Sequence, residues 1–456
     1  MFIYWLVAIV VAALPFGTRL FVASAISGFH EYEAVFFYGT DIVVLIFIWW
    51  VWHHHRAVLN NLFHRAGGPL LAAMLIAGLA AALTAPSLGL AVYGLLRLVM
   101  LMVFAYCLGV TLSTKKVFEV ALVVLAVVAV AQACIGLAQF KQQGSVGLQG
   151  LGEPVLVSYT GAASTIQAEG GRILRVYGTF PHPNVFAAFM VLGLLSLAYW
   201  YLWCEEQLAA ALFTHPRQWW TMPRALKTLN GYLTHRYFYL RLVIAVATFL
   251  VMLGLVLSFS RSGWLASAVA ILFYALLTIC NRKSVGASVR LVLMVAACAG
   301  AAALLFQPIV FPRAGLTFTE PAVAERLSYN ELGGALALQN PVGVGPSNQV
   351  LYSVREHLYQ DYGFTQVWKW EPIHNLYLLI TVEFGWLGLL SFLVFLGMVT
   401  WRLVRDLSSQ RALALALLCA ILVVGLFDHY LWDLQPGRLM LWFAIGLVLS
   451  QCPARE

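Results

Sequence analysis

The stretch 374-HNLYLLITVEFGWLGLLSFLVFLGMVTW-401 decides the fold. Its apolar side chains run on without the alternation of a half-buried strand. As a helix rising 1.5 Å per residue it is long enough to cross about 30 Å of hydrocarbon. It also opens on an ionisable imidazole, His374, and is preceded by irregular sequence bearing Trp and Tyr over residues 308–373. A titratable side chain where a large loop enters a membrane helix marks a candidate functional site.

Runs of this kind recur along the chain. Of its 456 residues 62% are hydrophobic and 10% charged, and the mean hydropathy is +0.85. That composition excludes a soluble globular protein. The sequence predicts an all-α polytopic membrane protein, one membrane-embedded domain over residues 1–456. About twelve transmembrane helices are expected, near 2–15, 40–52, 69–87, 89–112, 117–139, 183–203, 241–258, 263–280, 290–307, 374–401, 411–427 and 437–451. Spanning strands are not expected, because the runs do not alternate. The N-terminus has neither a basic leader nor a small-residue cleavage site, so no removable signal peptide is expected.

Charge gives the orientation. A cytoplasmic N-terminus puts most of the 27 Lys and Arg on inner loops, among them Arg56, Arg65, Lys115, Lys116, Arg402 and Arg405, as the positive-inside rule requires. The net charge of +8 then needs no nucleic-acid partner; membrane lipids are the expected surroundings. The seven cysteines avoid the large loops and show no CxxC spacing, so they read as packing residues or reduced thiols.

Two outer loops are long, 140–182 and 308–373. The second reads as amphipathic helical pieces around 341-PVGVGPSN-348, and its aromatic content argues against disorder. The inner loop 204–240 mixes Trp, Arg and Lys, which suits a segment lying on an anionic leaflet or, less simply, a regulatory contact.

Four polar elements fall on the outer side. They are Arg175 with Tyr177, Gly178, His182 and Asn184; Ser260-Arg261-Ser262-Gly263; His374-Asn375; and Asp428-His429-Tyr430. Arg261 interrupts two apolar helices with almost no loop. Its guanidinium must meet protein, an anionic ligand such as a phosphate, or lipid headgroups. His374 suits a general base, with a helix-capping or packed imidazole as the plain alternative. His53-His54-His55 lacks acidic or Cys partners and reads as an interfacial cluster, not a metal site. Arg97 and Glu383 fall at similar depth, about 13 Å below the outer surface at helical rise, and a structural ion pair between them is expected.

With these residues in place, the chain resembles the O-antigen ligase and polymerase family of bacterial membrane glycosyltransferases, closest to the ligases. His374, Asn375, Gly385 and Gly388 meet the family's spaced His-Asn-Gly-Gly pattern, and 175-RVYGTFPHPN-184, 258-SFSRSGW-264 and 340-NPVGVGPSN-348 are similar to family segments in the same order. The likeness spans roughly residues 90–450. It implies a GT-C-like membrane fold with a large periplasmic loop carrying short helices, in the bacterial inner membrane, with the active site facing the periplasm. The implied reaction, in lipopolysaccharide biosynthesis, moves a glycan from undecaprenyl diphosphate to an acceptor sugar hydroxyl. The acceptor is the lipid A core for a ligase, or a growing glycan for an O-antigen or exopolysaccharide polymerase. No metal and no cofactor are implied. Arg175 and Arg261 would bind the diphosphate and His374 would activate the hydroxyl. Tyr177, His182, Asn184, Ser260, Asn375 and Asp428 would line the substrates. A lipid-linked glycan flippase would instead line a central cavity with cations, and an ion-coupled transporter would show repeated halves. Neither pattern is present in the sequence.

Overall fold

The chain is described here from a computed structural model, covering residues 2–26, 30–157, 163–168, 171–212, 236–281, 285–315 and 320–452. In its first half the helices are α1 (Phe2–Ala13), α2 (Gly39–Arg65), α3 (Gly68–Ala82), α4 (Leu88–Thr111), α5 (Lys115–Gln142) and α6 (Pro183–Leu212). Then come α7 (Arg236–Leu257), α8 (Arg261–Cys280), α9 (Val285–Leu305), α10 (Gln307–Ala314), α11 (Pro321–Gln339), α12 (Gln349–Arg355) and α13 (Leu358–Asp361). The chain closes with α14 (Leu376–Val404), α15 (Ser409–Gly425), α16 (Tyr430–Asp433) and α17 (Gln435–Ser450).

Each apolar segment expected from the sequence is helical. Eight of these helices are long and apolar enough to cross a membrane. The other four, α1, α3, α15 and α17, have 12, 15, 17 and 16 residues, at or below the length that usually spans a bilayer. Two antiparallel hairpins break the all-α expectation: β1 (Arg19–Ser24) with β2 (Ala34–Tyr38), and β3 (Thr165–Ala168) with β4 (Gly171–Leu174). Both lie between spans, where short alternating or Gly-bounded segments can pair without exposing edges to hydrocarbon.

Burial sorts the helices. Every residue of α17 is buried, and 94% of the apolar window of α6 is buried. A helix apolar on all sides belongs inside a bundle, and these two form its centre. Outer helices instead turn large side chains outward, such as Trp5, Ile46, Trp49, Leu79 and Leu272, as lipid contact requires. Apolar surface gains little by leaving lipid for another helix, so close packing carries the association. The α4–α17 contact shows it: a Cβ on Gly109 would lie 2.9 Å from Leu449 Cβ, and one on Gly446 would lie 2.7 Å from Leu108 Cβ.

The decisive helix α14 is broken. Gly385 takes φ +69, ψ 178 within it, a region essentially reserved for glycine. The break frees carbonyls, and the 341-PVGVG-345 turn takes them. Val344 N donates to Val382 O at 2.8 Å, Gly345 N to Glu383 O at 3.2 Å, and Trp386 N to Pro341 O at 3.1 Å. A Cβ on Gly385 would lie 2.5 Å from Pro341 O. Thus the glycine of the His-Asn-Gly-Gly pattern lets a loop enter a membrane helix with its backbone satisfied.

The expected Arg97–Glu383 pair is not formed. Arg97 pairs with Asp41 at 2.5 Å, and Glu383 accepts from Trp432 Nε1 at 3.0 Å. Depth along two helices does not make them neighbours: α4 packs on α2, whereas α14 packs on α3. Asp41 sits in the first turn of α2, where it also accepts from Tyr38 N at 2.8 Å. The histidines His53, His54 and His55 sit by a kink in α2, with His54 stacked on Trp50 at 4.4 Å. Most of the segment 204–240, expected on the inner side, lies outside the described residues.

Candidate active site

The four polar elements meet at one end of the bundle, together with parts of 308–373. Two glutamines on the apolar helix α5 hold the first element. Gln139 Oε1 accepts from Gly178 N at 2.8 Å, and Gln132 Oε1 accepts from Thr179 N at 2.9 Å. The backbone of 176–179 is thereby fixed against the bundle, and Arg175 follows it inward.

Arg175 is 7% exposed. Its Nε donates to Ser258 O at 2.7 Å, Nη1 to Ser164 Oγ at 2.9 Å and Nη2 to Asn184 Oδ1 at 2.8 Å. Burial, with Arg313 and Arg326 nearby, pulls its guanidinium down to about 9, so it remains charged at neutral pH. Three of the five guanidinium N–H groups serve protein acceptors, leaving two. Tyr177 is braced too, its hydroxyl accepting from Ser164 N at 2.6 Å. His182 Nδ1 accepts from Asn184 N at 3.1 Å, and burial lowers this imidazole to about 3.

From Arg175 a chain of contacts runs across the site. Asn184 Nδ2 donates to Asp428 Oδ2 at 2.8 Å, and Arg326 approaches the same oxygen at 3.6 Å. Asp428 Oδ1 accepts from His429 N at 3.0 Å, and His429 Nδ1 meets Asp433 Oδ2 at 2.7 Å. Burial disfavours charge on both. It is outweighed at Asp428, held below the usual carboxylate range by His429, His374 and Arg326. It is outweighed at His429, raised to about 9 by Asp433, Asp428 and Glu371.

His374 lies beside this pair. Its ring stacks on Tyr329 at 4.7 Å and meets His429 edge-on at 4.8 Å. Nδ1 lies 3.0 Å from Pro372 O. A carbonyl only accepts, so Nδ1 carries the proton and Nε2 keeps the lone pair. Nε2 faces Glu371 Oε2 at 3.5 Å. Burial, followed by the charge on His429, lowers His374 to about 3. The site therefore holds a neutral imidazole next to a charged one.

Asn375 caps α14, accepting from Tyr377 N at 3.0 Å and Leu378 N at 3.1 Å; its amide donates to Leu426 O at 3.3 Å. Ser260 likewise caps α8, accepting from Gly263 N at 3.3 Å. Both have structural employment. Phe259 in the same turn takes φ +50, strain of the kind concentrated at functional sites.

Arg261 is less enclosed. Its Nε donates to Arg313 O at 2.9 Å, and Nη2 bonds Glu320, which also bonds Arg313. One carboxylate thus ties two arginines at the rim. The sequence reading missed Arg313, Arg326, Glu320, Glu371 and Tyr329, all in 308–373 or beside it. Their only signal was charge on an aromatic loop.

Glu371, His374 and His429 each offer one ligand atom, all within 4.8 Å of one another, a spacing that fits a divalent cation. Against this, His429 carries a proton and its Nδ1 is engaged by Asp433, both of which oppose ligation at that ring. The arrangement reads as a hydrogen-bonding cluster.

Residues 246–393 match a family model described as O-antigen ligase. This match makes that segment of the chain similar to the O-antigen ligase family. The matched segment carries Arg261, the broken helix with Gly385 and Gly388, and the His374-Asn375 pair. Members of this family are glycosyltransferase-like enzymes. A comparison with curated proteins gives no match.

Proposed function

We propose that the protein is an O-antigen ligase that transfers a glycan from undecaprenyl diphosphate to a sugar hydroxyl of the lipid A core, on the periplasmic side of the inner membrane. The observation that carries this reading is the tautomer and placement of His374. Its Nε2 lone pair lies in one contact network with Arg175, Arg326 and Asp428. The acceptor oxygen attacks the anomeric carbon and its proton passes to Nε2. The bond from that carbon to the phosphate oxygen breaks, and the diphosphate leaves with the electron pair. Arg175, with two unspent N–H groups, and Arg261 at the rim stabilise the departing charge, with no metal required.

A base lowered to about 3 is weak in the empty site. Bound diphosphate brings negative charge that favours an imidazolium, so the base strengthens as donor binds. Asp428 and Asn184 orient Arg175, while Tyr177, His182, Ser260 and Asn375 shape the walls.

The test supplies purified protein with carrier-linked glycan and, in separate vessels, lipid A core or a second carrier-linked glycan. Product on lipid A core, unchanged by EDTA, supports a metal-independent ligase. Product on the carrier alone identifies a polymerase, and product on neither contradicts glycan transfer. Impermeant thiol reagent should label a cysteine at Asn375 from outside; labelling only from the cytoplasm would reverse the orientation.

A further inference from the structure

Glu371 and His374 share the turn that leads into α14, and its backbone is pinned at several points. Glu371 O accepts from the Tyr359 hydroxyl at 2.7 Å, Ile373 N donates to Gln349 Oε1 at 3.3 Å, and Asn375 N donates to Ile373 O at 2.8 Å. Pro372 between them has a fixed φ. Main chain therefore holds the two side chains together.

Their contact is acceptor against acceptor. Nδ1 of His374 carries the ring proton toward Pro372 O at 3.0 Å, so Nε2 turns only a lone pair to Glu371 Oε2, 3.5 Å away. That pair gains nothing at rest. A proton placed on Nε2 converts it into a charge-assisted hydrogen bond. The neighbouring carboxylates are already employed: Asp433 by His429 Nδ1, and the two oxygens of Asp428 by Asn184 and the His429 backbone. Among the described residues no hydrogen bond engages the Glu371 carboxylate. Its side chain is 40% exposed against 13% for His374, so it joins the enclosed ring to solvent. Burial lifts its carboxyl above the ordinary value, against the charge of His429, which improves it as a proton acceptor.

We propose that Glu371 is the proton outlet of the site. The proton that leaves the acceptor hydroxyl for His374 Nε2 passes on to Glu371 Oε2, and the carboxylic acid so formed releases it to water. His374 returns to its neutral form with Nδ1–H unchanged. A carboxylate on Nδ1 would orient the ring; this one, on Nε2, empties it. The assignment rests on the glycan-transfer reading and on His374 as its base.

The test compares steady-state transfer by the full chain in phospholipid nanodiscs, wild type against Glu371→Gln and Glu371→Ala. Each protein is checked for monodispersity and for retained binding of the carrier-linked glycan. Glu371→Gln, isosteric but unable to take the proton, should lower kcat by roughly tenfold or more with KM for the donor little changed. Sodium formate at constant ionic strength should raise the rate of Glu371→Ala several-fold and leave the wild type unmoved, because a small carboxylate fills the vacated space. A merely structural role gives no such rescue. A wild-type rate in Glu371→Gln, or no formate response in Glu371→Ala, overturns the outlet while leaving glycan transfer and His374 in place. Wild-type protein that makes no product on any acceptor overturns the reaction, and the outlet with it.

Discussion

His374 and His429 have rings 4.8 Å apart, yet their surroundings drive them in opposite directions. Both are buried, and burial alone would make both neutral. His429 has Asp433 on Nδ1 and Asp428 beside it, so it is raised to about 9. His374 has only a backbone carbonyl on Nδ1, a Tyr329 ring against one face and the charged His429 against its edge, so it is lowered to about 3. Titratable neighbours pushed apart in this way take different chemical roles. Here one supplies a lone pair, and the other holds a fixed positive charge that keeps Asp428 ionised. The pair also ties the fold to pH. His429 holds its proton more tightly than the unfolded value of 6.5 allows. Its stabilising contribution is therefore complete below about 6.5 and is lost as pH rises through about 9.

The largest effect is expected from removing the lone pair. His374→Ala should lower transfer by about 10²–10⁴-fold, the usual range for a general base, with lipid-diphosphate binding retained in a filter or fluorescence assay. Loss of donor binding together with activity would assign His374 to packing against Tyr329 instead. Next in size is the rim arginine. Arg261→Lys should cost roughly ten- to a hundred-fold, because a hydrogen bond to a charged group contributes about 1.5–3 kcal/mol. One ammonium on a flexible stem cannot reproduce the guanidinium fork that now spans Arg313 O and Glu320. Activity near wild type in Arg261→Lys would reduce its role to bare charge. The smallest effect on maximal rate is expected from Asp433→Asn. Its mark is a move of the alkaline limb of activity to lower pH, since His429 loses the first of its charged partners. An unmoved limb would take His429 out of the account.

The bundle was legible in the sequence because apolar length alone decides it: all twelve expected segments are helical, and the caps Ser260 and Asn375 lie at their polar ends. The site was legible where a charge interrupted an apolar run, as at Arg261 and His374. It was not legible where partners are distant in sequence. Asp41 rather than Glu383 answers Arg97, because the packing of α4 on α2 is set by side-chain fit and not by depth. Gln132 and Gln139 carry no signal in the sequence beyond being polar in an apolar helix. Their role depends on the 176–179 backbone folding back onto them. Gly385 was read as part of a spaced pattern, whereas its positive φ and the loop inserted at the break explain why glycine is needed.

The most direct test of a neutral His374 beside a charged His429 is the pH dependence of kcat/KM, which reports the ionisations of the free enzyme. Measured from pH 5 to 10 with saturating acceptor and limiting donor, it should stay flat from about 5 to 8. It should then fall near 9, where His429 and the diphosphate-binding Arg175 both lose their protons. A profile that instead rises through about 6.5, the value of an unperturbed imidazole, would mean that His374 titrates in the free enzyme, and would contradict the account.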